Sequence, residues 1–578
     1  VAEKEIDLKR TYKMLVGLIR PEAGYLNVAI FYGLAIATLT LAVPIAVQTL
    51  INTIANIASV RAVVILALVL FLTLVVSGVL SALRTRVMEY YERKVYARLT
   101  AELSLKTIRA PHSFFEGGRN TTITQRYFDI ITLQKNLPEL MIDGFAVLTQ
   151  MLVGFVLVSF YHPALFVFNA LIVATMYLIW KVWGSGAKLT AIQLSHAKYS
   201  TAKWLDDIAS AHEFFKSSRH MDYAGRKTEG MIEQYIDTHK HHFKYTFSQT
   251  LMFLLLYALA SASLLGLGGW LVVVGQLSIG QLVAAELIMS ALFVGMSQFT
   301  NYLKMYYELY GAADKIGHAL EIPQESVDED QNSIPQDATL QCQNLVLQHL
   351  DQQYEVTFTL EAGAKIFVLT DQSWIQRGFL SVLKHHQTPE QGWMRLGDNE
   401  IGDYDLYELR QAVISIDRSL IVECSIKEYL RMAQPEASLG DMTKALEQVR
   451  LHSVIRLLPD GLDTRMSALG TPLQPAELLL LKLAAAILAQ PKVIVLNQHF
   501  DNIPEGLQHH IMQVLEAQTC SVMYFTNHPN SQFFNGTMKW KLRSENGTGT
   551  HFMNGDNGKT QSDNKALPNG DANSEANS

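Results

Sequence analysis

The side chains best equipped for chemistry are few and scattered. Histidines cluster once, at His239, His241 and His242. On a helix, offsets of two and three residues do not all converge on one face, so the trio reads as a solvated surface and not as a metal site. The acid Glu286 falls inside an apolar run. An ionisable group at membrane depth is a functional candidate by default, and a polar contact between helices or the wall of a water-lined cavity is the plainer reading. The three cysteines, Cys342, Cys424 and Cys520, match neither a zinc spacing nor a disulfide framework and read as inert packing residues. Trp180, Trp183 and Trp270 stand near the ends of apolar runs, where indole rings anchor a helix at a membrane interface.

The elements that must position these groups follow from composition and pattern. A chain of 578 residues is too long for one compact domain, and 49% hydrophobic with 17% charged residues is greasy for a soluble protein. The net charge of -7 offers no basic footprint, so no nucleic acid is implied as a partner. The first 20 residues are polar and charged, without the short apolar core and small-residue cleavage site of a signal peptide. Six apolar stretches reach spanning length, at residues 25–50, 63–83, 140–160, 164–183, 250–274 and 279–299. Pro44 interrupts the first, and Gly266, Gly268 and Gly269 cluster in the fifth. Such breakers are tolerated where neighbouring helices satisfy the backbone.

The gaps between spans two and three and between spans four and five are long, polar and helix-prone. Lys4, Lys9, Arg10, Lys13 and Arg20 flank the first span, and basic flanks mark the cytoplasmic side. With an even number of spans, both termini and both long gaps are expected inside, each gap as a helical hairpin. After about residue 322, Pro323, Pro335 and a run of polar residues mark a linker over 323–337. From residue 338 to 543, short apolar runs at 365–369 and 492–496 alternate with helical stretches such as 475–489, an α/β texture. The tail 544–578 is rich in Asn, Gly, Asp and Ser and is expected to be disordered.

Several segments resemble the exporter branch of the ABC transporters, over nearly everything before the tail. Ser113-Phe114-Phe115-Glu116 followed by Ile123-Thr124-Gln125-Arg126 is similar to the family's first coupling-helix region. Gly275 to Gly280 followed by Gln281-Leu282-Val283-Ala284-Ala285 looks like the start of its sixth helix. Gly397-Asp398-Asn399-Glu400-Ile401 with Leu409-Arg410, and Leu458-Pro459-Asp460-Gly461-Leu462-Asp463-Thr464, look like its nucleotide-domain scaffold. Each is weak alone; their order and spacing together are specific. The implied fold is six transmembrane helices over 1–322, followed by an α/β P-loop-like nucleotide-binding domain.

Against that scaffold the chemistry is depleted. A P-loop needs glycines so that backbone N–H groups can wrap phosphates, a Lys for the β and γ groups, and a hydroxyl on Mg²⁺. The aligned stretch runs from Thr370 to Arg377, with Thr370 and Ile375 at the glycine positions, Gln376 at the Lys and Arg377 at the hydroxyl. Asp371 puts negative charge where phosphate would sit, and Arg377 is left as a lone cation for it. Asn497 and Gln498 occupy the positions of the magnesium Asp and the water-orienting Glu. The glutamine of the family falls at Asp417, or at Arg418 in a register shifted by one. The switch histidine aligns with Asn527, with His528 one position on, and the signature LSGGQ reads Leu473-Gln474-Pro475-Ala476-Glu477.

The resemblance implies ATP and Mg as cofactors, whose binding these replacements put in doubt, and a multi-pass protein of the bacterial inner membrane. It implies export by a dimer, either a homodimer or a heterodimer with another half-transporter, in contact with membrane lipid and with a possible periplasmic adaptor. A non-hydrolysing membrane scaffold or regulator is the alternative. The topology is directly testable. Single cysteines placed near Arg126 and near Lys216 should label only from the cytoplasmic side, and labelling from the opposite face would rule out the six-span arrangement.

Overall fold

The computed structural model describes residues 7–56, 60–115, 121–325, 333–350, 352–370, 372–417, 421–529, 532–534, 536–540 and 551–554. Asp371, Arg418 and almost all of the 544–578 tail lie outside the described residues, as does most of the linker. The chain divides into two compact units, Val1–Glu325 and Ser326–Ser578.

Among its described residues the first unit is built from helices and contains no strand. Its helices are α1 (Leu8–Ile19), α2 (Ala23–Thr40), α3 (Ala42–Asn56), α4 (Val60–Ile108), α5 (His112–Phe115), α6 (Tyr127–Glu139), α7 (Phe145–Ser159), α8 (Pro163–Ser210), α9 (Ser218–Val273) and α10 (Ile279–Leu320). A π-helical turn, Leu140–Gly144, joins α6 to α7. Among the described residues, five helical runs are long and apolar enough to cross a membrane: 8–53, 60–108, 127–159, 163–210 and 218–273. They cover the first five expected spans, the third and fifth of which end one residue beyond their runs. The sixth expected span lies in α10, whose described apolar stretch is Ile279–Ser290.

The two long polar gaps are continuations of the spanning helices. Helix α4 runs for 49 residues, α8 for 48 and α9 for 56, so the backbone carries its own hydrogen bonds from the apolar into the polar zone. The break between α2 and α3 falls at Leu41, just before Pro44, whereas Gly266, Gly268 and Gly269 lie within an unbroken α9.

The outside of this unit is apolar: Phe31, Leu68, Phe71, Val167 and Leu171 are all exposed. Water is a poor solvent for such a surface and a bilayer is a good one. The inside holds one cluster around Met151, Phe155, Ile172, Phe253, Ile288 and Tyr307, and a second around Leu26, Met88, Tyr91, Leu133 and Tyr310. At the polar end of the bundle, Arg98 of α4 donates to both carboxylate oxygens of Glu22, at 2.7 and 2.8 Å, and to the Leu18 carbonyl. The buried Glu22 is thereby paired and α2 is fixed to α4.

The second unit contains β1 (Leu340–His349), β2 (Gln352–Leu360), β3 (Lys365–Thr370), β4 (Trp393–Leu396), β5 (Asn399–Glu400), β6 (Val413–Ile416), β7 (Cys424–Ser425), β8 (Arg465–Met466), β9 (Val493–Leu496), β10 (Ser521–Phe525), β11 (Gly536–Trp540) and β12 (His551–Asn554). Its helices are α11 (Ser373–Leu383), α12 (Leu406–Ala412), α13 (Ile426–Ala433), α14 (Leu439–Gln448), α15 (His452–Leu457), α16 (Pro475–Ala489) and α17 (Glu505–Glu516). The main sheet has the order β12-β11-β3-β10-β9-β6, parallel except for β12 at its edge. A smaller antiparallel sheet has the order β2-β1-β4-β5. Strands β9 and β10 are buried at every position, as central strands covered on both faces must be. The three cysteines are buried and unbridged, as their spacing leads one to expect.

Helices α7 and α10 approach closely at Gly154, where an added Cβ would stand 3.0 Å from both Ile288 Cγ2 and Leu292 Cδ1. Gly154→Val should therefore overpack this contact and destabilise the first unit by about 1–3 kcal/mol, read as a lower melting temperature of the detergent-solubilised chain.

Candidate functional site

In parallel sheets ligands bind beyond the carboxyl ends of the strands, and there the second unit has an open cleft of about 570 Å³. Ser373, Gln376 and Arg377 line it from the start of α11, Asn497, Gln498, His499, Asp501 and Asn502 from the segment after β9, and Asn527 and His528 from the turn after β10. Five of the six residues singled out from sequence, Gln376, Arg377, Asn497, Gln498 and Asn527, thus share one cleft. Asp417 follows β6 and is not among the lining residues. Its carbonyl accepts a bond from Lys482 Nζ at 3.2 Å. Burial lowers the pKa of Lys482 and of Lys384, and the Asp417 charge opposes that shift in both. A larger cavity, about 860 Å³, lies at the opposite, amino ends of β3, β9 and β10 beside Ala362, Lys492 and Cys520.

The wall built by α11 is a helix start and not a phosphate loop. Trp374, Ile375, Phe379, Val382 and Leu383 put their apolar stripe into the core. Ile375, at a glycine position of the resemblance, is fully buried, so its side chain serves packing. Thr370, at the other, is 1% exposed, and its Oγ1 accepts from Gln372 N at 3.2 Å. Gln376 is buried and its Nε2 has no hydrogen-bond partner among the described residues, whereas Arg377 is exposed.

The opposite wall is held by protein-to-protein bonds. Asn497 Oδ1 accepts from His499 N at 3.1 Å, capping the short turn that follows β9. Gln498 Nε2 donates to the Thr370 carbonyl at 3.1 Å and ties the end of β9 to the end of β3. Sequence reasoning missed Asp501. One of its oxygens accepts from Tyr524 Oη at 2.6 Å and from Thr526 Oγ1 at 2.7 Å, and the other from Asn527 N at 3.2 Å. Burial, reinforced by this carboxylate, pushes the Tyr524 phenol well above its ordinary range. His528 N donates to Thr526 Oγ1 at 3.0 Å, which extends the network by one residue.

These residues do not fit a magnesium nucleotide. The amides of Asn497 and Gln498 bring no negative charge, and both oxygens of Asp501 are already engaged. Among the described residues no group of three His, Cys, Asp or Glu side chains could hold a metal ion. The segment aligned with the family signature caps its own helix: Gln474 N donates to Glu477 Oε2 at 2.8 Å, Pro475 opens α16, and the Glu477 carboxylate sits where a helix start would attract an anion.

The other candidates resolve locally. His242 shares a 2.9 Å bond with Thr190, while His239 stacks on Tyr235 and His241 lies against Tyr245, so the three rings serve three different neighbours. Glu286 accepts from Ser290 one turn along α10, at 3.4 Å.

Residues 26–296 match the ABC transporter transmembrane region. Similar proteins include an uncharacterized ABC transporter ATP-binding protein, YknU, of Bacillus subtilis, 23% identical over 44% of this chain and 45% of its own length. The mesentericin-Y105 transport/processing ATP-binding protein MesD of Leuconostoc mesenteroides is 22% identical over 78% of this chain and 64% of its own. The leukotoxin translocation ATP-binding protein LktB of Mannheimia glucosida is 20% identical over 76% and 63%. The chain thus spans between 45% and 64% of the length of these relatives. The matched residues all lie in the first unit, where five helical runs among the described residues are long and apolar enough to cross a membrane.

Removing Asp501 should unfasten the turn after β10. Asp501→Ala leaves two hydroxyls and an N–H without their acceptor and should destabilise the second unit by about 1–3 kcal/mol in thermal unfolding. Asp501→Asn, which keeps one acceptor oxygen, should lose less.

Proposed function

We propose that this chain is an exporter-type ABC half-transporter, moving a substrate across the bacterial inner membrane with little or no ATP hydrolysis of its own. The reading assigns residues 1–322 to a six-helix transmembrane domain, 323–337 to a linker and 338–543 to a degenerate nucleotide-binding domain, with 544–578 a disordered tail. It takes its transport half from the match of residues 26–296 and from relatives named for bacteriocin and toxin translocation. One observation carries its other half: Asn497 and Gln498 stand in place of two carboxylates, and their amides bond to protein atoms on the cleft wall. The roles of Gln376, Arg377, Asp417 and Asn527 as remnants of a nucleotide site belong to the same reading.

A dimer of such subunits joins the P-loop of one chain to the signature of the other, as the resemblance implies. Here both halves are altered, since α16 begins with its own cap at Gln474 and Glu477. A heterodimer with a competent half-transporter would then carry two impaired sites. The self-capped α16 also favours a second reading, a non-hydrolysing scaffold or regulator, and co-purification of an intact ABC subunit separates the two. Membrane lipid, a homodimeric or heterodimeric partner and a periplasmic adaptor are the associations this reading proposes.

Replacing a single positioned base or water-orienting group costs about 10²–10⁴ in rate. The purified chain in lipid nanodiscs should therefore release phosphate from Mg-ATP at background rate. Turnover of about 1 s⁻¹ or more that disappears in Arg377→Ala would overturn the reading.

A further inference from the structure

Arg84 lies on the buried stripe of α4 between Ser77 and Met88 and is 5% exposed. Its Nε and Nη1 have no hydrogen-bond partner among the described residues. The guanidinium rests against α2 at Gly33, where an added Cβ would stand 3.7 Å from Nη1, and the Phe145 ring closes on the same glycine. The polar end of the bundle is marked by Lys94 over the Tyr25 ring. Arg84 stands just past the apolar run 63–83 of α4, roughly 15 Å from Lys94 at about 1.5 Å per residue along the helix, and against Gly33 inside the apolar run of α2.

A guanidinium stays charged under all physiological conditions, and burying one without acceptors is costly, so leucine or methionine would fill this stripe more stably. Within a membrane bundle such a residue marks a ligand or ion path. Two neighbours sharpen the assignment. The π turn Leu140–Gly144 packs against α4 and α2, Phe145 just after it shares Gly33 with Arg84, and π turns recur at functional sites. That turn carries Asp143, which is exposed, whose charge acts on Arg84, and which makes no hydrogen bond to it among the described residues. Tyr302 of α10 packs on Gly144 of the same turn. Arg86, two positions on, is exposed and stands over the Tyr90 ring, so it already serves as the outward-facing basic anchor.

We propose that Arg84 and Asp143 form an oxyanion-binding site in the membrane unit. Arg84 receives a carboxylate or phosphate group through charge-assisted hydrogen bonds, and Asp143 is the resident counter-charge with which that group competes. The oxyanion comes either from the transported solute or from the headgroup of a lipid on the face that carries the basic flanks. The site stands whether or not the second unit turns over ATP.

The test uses the full chain in detergent. Phosphatidylglycerol and phosphatidylcholine are titrated by native mass spectrometry, and inorganic phosphate and acetate by thermal shift. A lipid source predicts that phosphatidylglycerol, and not phosphatidylcholine, binds the wild type about tenfold more tightly than Arg84→Gln. A solute source predicts that phosphate or acetate stabilises the wild type and not Arg84→Gln. In either case Asp143→Asn should tighten binding of the same probe, Arg84→Lys should retain part of it, and Arg86→Gln should leave it unchanged. A structural role for Arg84 would not produce opposite effects from its loss and from loss of Asp143. Equal binding of all four probes by wild type, Arg84→Gln and Asp143→Asn overturns the proposal, as does an equal loss in Arg86→Gln. Should Arg84→Gln fail to fold, Asp143→Asn decides alone, and an unchanged affinity there overturns it.

Discussion

The cross-links at the carboxyl ends of β3, β9 and β10 shape the cleft of the second unit. Gln498 on the Thr370 carbonyl, and Asp501 on Tyr524, Thr526 and Asn527, join three adjacent strand ends through protein atoms alone. In a phosphate-binding fold the same strand ends present free donors and carboxylates, and a ligand completes them. Here the Thr370 carbonyl and both Asp501 oxygens are engaged by protein donors, while Gln376 and Arg377 line the same open cleft. The apolar stripe of α11 and the self-capped start of α16 follow the same rule.

The first unit meets the opposite constraint. Its exterior is apolar and its polar groups must be matched inside, because a bilayer supplies no hydrogen bonds. Some are: Arg98 is matched by Glu22, Gln249 by Tyr307 and the Asn169 amide nitrogen by Phe155 and Ser159. Of the buried atoms left without a partner among the described residues, the Arg84 donors stand apart because they belong to a cation that is only 5% exposed.

The apolar runs made the helical membrane architecture readable, and the alternation after residue 338 announced the parallel sheet. The cleft was readable because its residues sit at and just beyond the carboxyl ends of β3, β9 and β10, where a parallel sheet presents its loops. Asp501 was not, since its three donors lie on and after β10, more than 20 residues away, and only folding joins them. Arg84 was missed for a different reason: an arginine one residue past the span that ends at residue 83 looks like a basic flank. Only the packing of α2 against α4 shows that it points inward. The three histidines illustrate the reverse, a conspicuous cluster that helical geometry disperses.

The length of α9 has a mechanical consequence. Its 56 residues form one unbroken hydrogen-bonded rod from the apolar zone to the turn at Phe214–Lys216. A rod of about 84 Å that tilts by roughly 5° carries its far end some 7 Å, at about 1.5 Å rise per residue. With α8 lying alongside it, the pair behaves as a lever whose stiffness comes from the backbone itself. Small displacements at the polar tip are thereby converted into movement at the opposite end without any residue in between having to change its conformation.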